Sequence, residues 1–247
     1  MKTYVVNLKR ATDRKKYMQG QLEKLPFLMP EFIEAVDGRE MEDMEKQKRF
    51  DCDSFRRRYA KEVRPGEIGC TLSHQKCYRK LLDSEEECVL LLEDDVILNE
   101  DMQGVIREVE KHVSVEEPRI VLLSGWYWYW RGHRFCEKYR LADVYDGFLT
   151  HAYVINRNAA RLLLEERPAV VADAWKYWRQ KGIHLQALCP HLIDPDSSGQ
   201  YPTAISDLNN PWVKGMWGGR LKTYMQVVVL KLLGWMGRGE KPYKPKE

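Results

Sequence analysis

The stretch VLLLEDDVIL, Val89 to Leu98, constrains this chain most: four apolar residues run into three consecutive carboxylates, and apolar residues resume at once. A run apolar at every position reads as a strand buried on both faces. Burying an unpaired carboxylate is costly. Glu93, Asp94 and Asp95 must therefore meet a cation, a buried basic side chain, or bulk water at a sheet edge.

The flanking segments alternate between strand and helix signals. TYVVNL (Thr3 to Leu8) is rich in β-branched and aromatic residues and reads as a buried strand. A helix follows, with Thr12 or Asp13 as its cap and Tyr17, Met18, Leu22 and Leu25 as its apolar stripe, ended by Pro26. A short strand over Phe32 to Val36 leads into the turn signal Asp37-Gly38. This strand–helix–strand order predicts a βαβ unit with a parallel pair. Residues 40–64, dense in charge, read as helix and loop. A helix from Pro65-Gly66 places Ile68, Leu72, Cys77 or Tyr78, and Leu81 on one face. Further helices are expected over residues 101–113, after Asn156 or Asn158, and in ADAWKYWRQKG, with strands at Arg119 to Gly125, Thr150 to Ile155 and IHLQALCPHLI. From Asp194 to Gly219 the chain reads as loop. The whole is an α/β sandwich around a mostly parallel sheet. Ligands of such sheets bind beyond the carboxyl ends of the strands, where the acidic trio sits.

Charge and cysteine usage narrow the function classes. The chain has 247 residues and a formal charge of +3, but Pro211 to Glu247 holds eight Lys/Arg against two Glu. The body is therefore slightly acidic, which argues against nucleic-acid binding. The N-terminal MKTYVVNLKR lacks the layout of a secretory signal. No two of the six cysteines form a C-x-x-C pair, so they read as reduced thiols in a cytosolic protein, with little support for a structural zinc site.

As a functional element, the trio fits a hard divalent cation such as Mn²⁺ or Mg²⁺, held by carboxylates with positions left for substrate phosphates. It also fits a solvated strand-end cluster or a helix N-cap. The sequence has no G-x-x-x-x-G-K-[ST] loop, no G-x-G-x-x-G after its first strand and no G-x-S-x-G elbow.

Four stretches together resemble one family: YVVNLKRATDRK (Tyr4 to Lys15), AVDGRE (Ala35 to Glu40), GEIGCTLSH (Gly66 to His74) and VLLLEDDV (Val89 to Val96). In order and spacing they are similar to the glycosyltransferase family 25 enzymes, over roughly residues 1–200. The resemblance implies a GT-A type nucleotide-sugar fold. It implies transfer of a hexose, usually galactose, from a UDP-sugar to a lipooligosaccharide or other glycan acceptor, with inversion at the anomeric carbon. On this basis Glu93 and Asp95 match the metal-binding positions, Asp95 as the direct ligand and Glu93 as a contact to ribose or to metal-bound water. Asn7, Arg10, Asp37, Gly38, Arg39, Glu67, Gly69, Ser73, His74 and Asp94 match the nucleotide-sugar side. An inverting transfer needs a base opposite the leaving group, and Asp173 in VVADAWKYW is the candidate; it also reads as a plain N-cap before Ala174. The rival function is a non-catalytic nucleotide-sugar binding or scaffold protein of the same fold; a metal-dependent phosphohydrolase is a third class.

Other features keep two readings. His74 fits a phosphate contact or a hydrogen-bonded histidine on a helix flank. His191 fits a loop histidine, in a region where a late metal ligand also occurs. WYWYW (Trp126 to Trp130) suits a sugar platform, or core packing on one side and a lid or interface on the other. Arg56-Arg57-Arg58 reads as a solvated helix face or as a contact for an anionic acceptor. Leu221 to Gly237 is apolar nearly all round a helical wheel, with Lys241, Lys244 and Lys246 beyond it. Residues 1–210 are read as the catalytic domain and 211–247 as this basic, apolar tail. The tail suits a helix lying on an anionic membrane surface, which would make the protein peripheral on the inner face of the cytoplasmic membrane, or one docked on the body or a second subunit.

Overall fold

The structure, a computed structural model, describes residues 1–136, 138–196 and 217–240. In chain order its first half runs β1 (Lys2–Asn7), α1 (Thr12–Leu22), β2 (Met29–Glu34), α2 (Asp43–Arg49), α3 (Cys52–Tyr59), α4 (Pro65–Leu82), β3 (Cys88–Glu93), β4 (Val96–Ile97) and α5 (Gln103–Val113). The second half runs β5 (Arg119–Leu122), β6 (Trp126–Cys136), β7 (Tyr139–Phe148), β8 (Ala152–Asn156), α6 (Arg157–Leu164), α7 (Trp175–Gln180), β9 (His184–Cys189), β10 (Asp194–Pro195), α8 (Trp217–Trp235) and β11 (Gly239–Glu240).

A nine-stranded sheet of order β11-β6-β7-β9-β5-β8-β3-β1-β2 divides the molecule. β3 sits inside it, parallel to β1 and antiparallel to β8. Its side chains alternate between two cores. Val89 and Leu91 pack with Cys77, Tyr78 and Leu81 of α4 and Ala159 and Leu163 of α6. Leu90 and Leu92 pack with Met18 and Leu22 of α1 and with Val105, Ile106 and Val109 of α5. Every position of VLLL is thus buried because both faces of the strand are covered.

The parallel pairings are β1 with β2, β1 with β3, and β5 with β9, and the other pairings of the large sheet are antiparallel. The parallel βαβ unit expected from the sequence is therefore the β2-β1-β3 end of a mixed sheet. Much of the antiparallel part comes from the long β6–β7 hairpin, which the sequence reading did not contain.

Two expectations about individual segments resolve here. In WYWYW, Tyr127 enters the core, Trp128 lies under α8, and Trp126 and Trp130 remain surface side chains. The helix α8 docks on the body: Leu230 and Leu233 cover Trp128, β11 pairs with β6, and Gln226 donates to Asp146. Its other side leaves Met225, Leu232, Trp235 and Met236 exposed. No helix among the described residues is long and apolar enough to cross a membrane. Most of the loop expected over 194–219, the boundary at 210/211 and the terminal lysines lie outside the described residues.

Candidate active site

Because β1, β2 and β3 run parallel, their carboxyl ends share one edge of the sheet. β8 runs the other way, so the residues just before it, Leu149 to His151, reach that same edge; the Glu93 amide donates to the His151 carbonyl at 2.8 Å. A cleft of about 370 Å³ opens there. It is lined by Arg10, Asp37, Gly38, Arg39, Glu67, Ser73, His74, Glu93, Asp94, Asp95 and Asp173 among the residues singled out from the sequence. Asn7 and Gly69 lie behind the lining. Trp126 to Trp130 do not line the cleft, and neither does His191, which packs edge-on against Tyr127 with ring centres 5.2 Å apart.

The three acids have different surroundings. Asp94 is held by the protein itself: Asn7 Nδ2 donates to it at 2.6 Å and Arg14 Nη1 at 2.8 Å. Asn7 Nδ2 also reaches the Ala11 carbonyl at 3.1 Å, so one amide ties the end of β1, the start of α1 and the end of β3. Glu93 accepts from the Thr150 hydroxyl and lies 3.5 Å from His74 Nε2. Burial opposes its ionisation, but His74, His151 and Thr150 together hold it below the ordinary carboxylate range. Asp95 meets Arg14 at 3.3 Å through one oxygen; its Oδ1 is buried without a hydrogen-bond partner among the described residues. Burial, followed by the charge of Glu93, pushes Asp95 up to about 6.

Nδ1 of His151 is likewise buried without such a partner. One ligand atom each from Glu93, Asp95 and His151 lies within 4.8 Å of the others. Two carboxylates and an imidazole, with Asp95 Oδ1 and His151 Nδ1 unmatched, suit a divalent cation such as Mn²⁺ or Mg²⁺, and the residues present fit such an ion.

The opposite wall is built by the start of α4. Pro65 occupies its first turn, and the Glu67 carboxylate closes a capping box by accepting from the Arg64 amide at 2.8 Å. The same carboxylate receives Arg64 Nη2 at 2.7 Å, so Glu67 positions a guanidinium on the cleft wall. Ser73 accepts from the Val36 amide at 2.8 Å and donates to the Gly69 carbonyl at 2.7 Å, locking α4 to the loop after β2. Gly38 and Gly69 make that contact possible: a Cβ on Gly69 would stand 2.6 Å from the Val36 oxygen, and one on Gly38 would collide with the Pro65 carbonyl. Arg10 pairs with Asp37 across the rim.

Asp173 faces the cleft from the approach to α7, which begins at Trp175 with Ala174 as its N-cap and no side-chain cap. Asp173 Oδ2 instead accepts the Leu149 amide at 3.0 Å, and Trp175 Nε1 donates to the Leu149 carbonyl at 2.9 Å. Burial, followed by the charges of Glu67 and Glu93, raises its pKa.

Sequence reasoning missed Arg14, Arg64, Thr150 and His151. Arg14 and Arg64 lie within or beside the quoted motifs and were legible there as basic neighbours of acids. Thr150 and His151 arrive through antiparallel pairing of β8, which no local pattern announces.

The chain is similar to known proteins of one family. The family described as "Glycosyltransferase family 25 (LPS biosynthesis protein)" matches residues 1–173. A "Glycosyltransferase 25 family member" of Aedes aegypti is 30% identical over 179 residues, covering 67% of this chain and 28% of the relative. One from Anopheles gambiae is 28% identical over 184 residues, with the same two coverages. Human "Procollagen galactosyltransferase 2" is 33% identical over 97 residues, covering 38% of this chain and 15% of its own length. The chain thus spans little more than a quarter of the first two of these relatives. With its motifs gathered at one sheet edge and the family match running from β1 to Asp173, the chain belongs to glycosyltransferase family 25.

Proposed function

We propose that this chain transfers a hexose, galactose first among candidates, from a UDP-sugar to a glycan or glycolipid acceptor such as a lipooligosaccharide, with inversion. The carrying observation is the convergence of Glu93, Asp95 and His151, with two buried polar atoms unmatched among the described residues, in a cleft that also holds Arg10, Arg14, Arg39 and Arg64. When bound there, Mn²⁺ or Mg²⁺ neutralises the charge that develops on a diphosphate leaving group. Glu93, Asp95 and His151 would hold the ion, and Asp94 is fixed by Asn7 and Arg14 so that its neighbours keep their aim. Asp173, across the cleft and with a raised pKa, takes the proton of the acceptor hydroxyl. The galactose assignment is supported by the similarity to the human procollagen galactosyltransferase.

The basic, half-exposed α8 suits an anionic membrane surface carrying a lipid-linked acceptor, which would place the protein at the cytoplasmic face of a membrane.

The test is calorimetry of UDP with and without Mn²⁺, followed by a transfer assay with UDP-galactose. UDP should bind more tightly with Mn²⁺, Asp95→Ala should lose that gain, and Asp173→Asn should lose transfer while keeping UDP affinity. UDP binding indifferent to Mn²⁺ in the native protein would overturn the metal role. Tight binding with no transfer to any acceptor, unaffected by Asp173→Asn, would leave the non-catalytic binder.

A further inference from the structure

Cys70 and His74 stand four residues apart on α4 and therefore share one helix face. That face turns toward Glu93. One ligand atom from each of Cys70, His74 and Glu93 lies within 4.8 Å of the others. His74 is 1% exposed, and its Nε2 has no hydrogen-bond partner among the described residues; the nearest acceptor is Glu93 Oε1, at 3.5 Å.

The other ring nitrogen is fully engaged. His74 Nδ1 meets the Tyr153 hydroxyl at 2.6 Å, and Tyr153 meets the Tyr78 hydroxyl at 2.7 Å. Either tyrosine hydroxyl can donate in this chain; in the tautomer in which Nδ1 donates to Tyr153, the Nε2 lone pair faces Glu93 and Cys70, and a cation bound there selects that tautomer. An outer hydrogen bond on one imidazole nitrogen is how proteins fix a histidine for metal binding through the other.

We infer that Cys70, His74 and Glu93 form a site for a thiophilic divalent cation such as Zn²⁺, distinct from the Glu93–Asp95–His151 group and coupled to it through the shared Glu93. The donor sets separate the two sites by chemistry. A thiolate, an imidazole and one carboxylate suit zinc, whereas two carboxylates and an imidazole suit the harder manganese or magnesium. Zinc bonds are about 2.0–2.3 Å long, so the ligand atoms must draw somewhat closer than they now stand. On binding, the Cys70 S–H bond is exchanged for a sulfur–metal bond and the proton leaves to solvent. Solvent supplies the fourth ligand. A cation seated there turns Glu93 away from the hard-cation group, so zinc weakens manganese binding.

The test titrates Co²⁺, a spectroscopic stand-in for zinc, into the metal-free 247-residue chain. The wild type should develop a near-ultraviolet thiolate-to-cobalt band that saturates at one equivalent and is displaced by Zn²⁺. Cys70→Ala should abolish the band, Cys52→Ala should retain it, and Tyr153→Phe should weaken the site roughly tenfold. Free Mn²⁺, followed by its paramagnetic resonance signal, should rise as Zn²⁺ is added. No thiolate band in the folded wild type overturns the inference, and so does a band that survives in Cys70→Ala. Should Cys70→Ala not fold, alkylation of the wild type decides: Zn²⁺ must protect Cys70 and leave Cys52 reactive. No sugar donor enters these measurements, so they can fail while UDP binding and transfer stand, and the reverse.

Discussion

Asp95 shows what the candidate site demands of a single residue. Burial and the neighbouring Glu93 both disfavour its ionised form, and His151 and Arg14 offset them only in part, Arg14 standing at 3.3 Å because its shorter contact is the 2.8 Å one to Asp94. Without a cation the folded protein therefore carries an unfavourable charge at neutral pH. Asp95→Asn keeps the shape and removes that charge. In the absence of divalent metal it should stabilise the fold by on the order of 1 kcal/mol. The same variant should lose the rise in melting temperature that Mn²⁺ gives the wild type. Thermal melts with and without Mn²⁺ read both effects; a variant less stable than wild type under metal-free conditions would contradict the argument. Gly38 presents the opposite case. Its hydrogen occupies space that a Cβ cannot share with the Pro65 carbonyl, and backbone is the least yielding of neighbours. Gly38→Ala should cost roughly 3 kcal/mol, measured by urea unfolding, because the loop after β2 must back away from α4.

At the element scale, the linker between β9 and β10 carries a pH-dependent load. His191 packs against Tyr127, and burial lowers its pKa to about 4. In the unfolded chain it titrates near 6.5. Between these values the unfolded state takes the proton and the folded state does not. Stability is therefore lost as pH falls from about 6.5 to about 4, and this contribution is constant on either side of that window. The loss amounts to about 3 kcal/mol at most. In His191→Gln this part of the slope should vanish, so the stability difference between variant and wild type should move in the variant's favour across that window in urea titrations. A difference independent of pH would refute it. The same scale shows how far the chain could be read unaided. β1 follows from its β-branched and aromatic run, β3 from its unbroken apolar run and α1 from its apolar stripe, and Asn156 caps α6 through the Ala159 amide at 2.9 Å, as one of its two readings required. The β6–β7 hairpin was hidden: Trp126 to Trp130 is aromatic at every position, and residues 131–134 are exposed on successive positions, so neither segment alternates. For the candidate site, the resemblance supplied the residues on parallel strand ends and on α4. His151 and Thr150 depend on the antiparallel neighbour β8, whose pairing is a property of the sheet rather than of the local sequence.

For the whole molecule, α8 sets the orientation question. Leu230 and Leu233 are spent on Trp128, yet Met225, Leu232, Trp235 and Met236 stay in solvent beside the exposed Lys231 and Arg238. Docking thus accounts for one side of the helix and leaves the other unexplained by the body. An apolar surface flanked by cations is attracted to anionic lipid by both burial and charge, each basic residue near such a surface contributing about 1 kcal/mol. Burial of a large apolar side chain adds about 1.5–3 kcal/mol. Those magnitudes make the exposed side chains, more than the charges, the dominant handle. Vesicles containing phosphatidylglycerol should therefore sediment the 247-residue chain, and added salt should reduce the bound fraction without abolishing it. Leu232→Ser combined with Trp235→Ser should weaken partitioning by about a hundredfold, since at least 3 kcal/mol of burial is removed. Lys231→Gln should weaken it by only about fivefold. Leu230 and Leu233 are untouched in both variants, so α8 keeps its seat on Trp128 and an unchanged unfolding curve checks that it does. Equal binding of wild type and double variant would remove the membrane from this face and leave a second protein surface as what covers it.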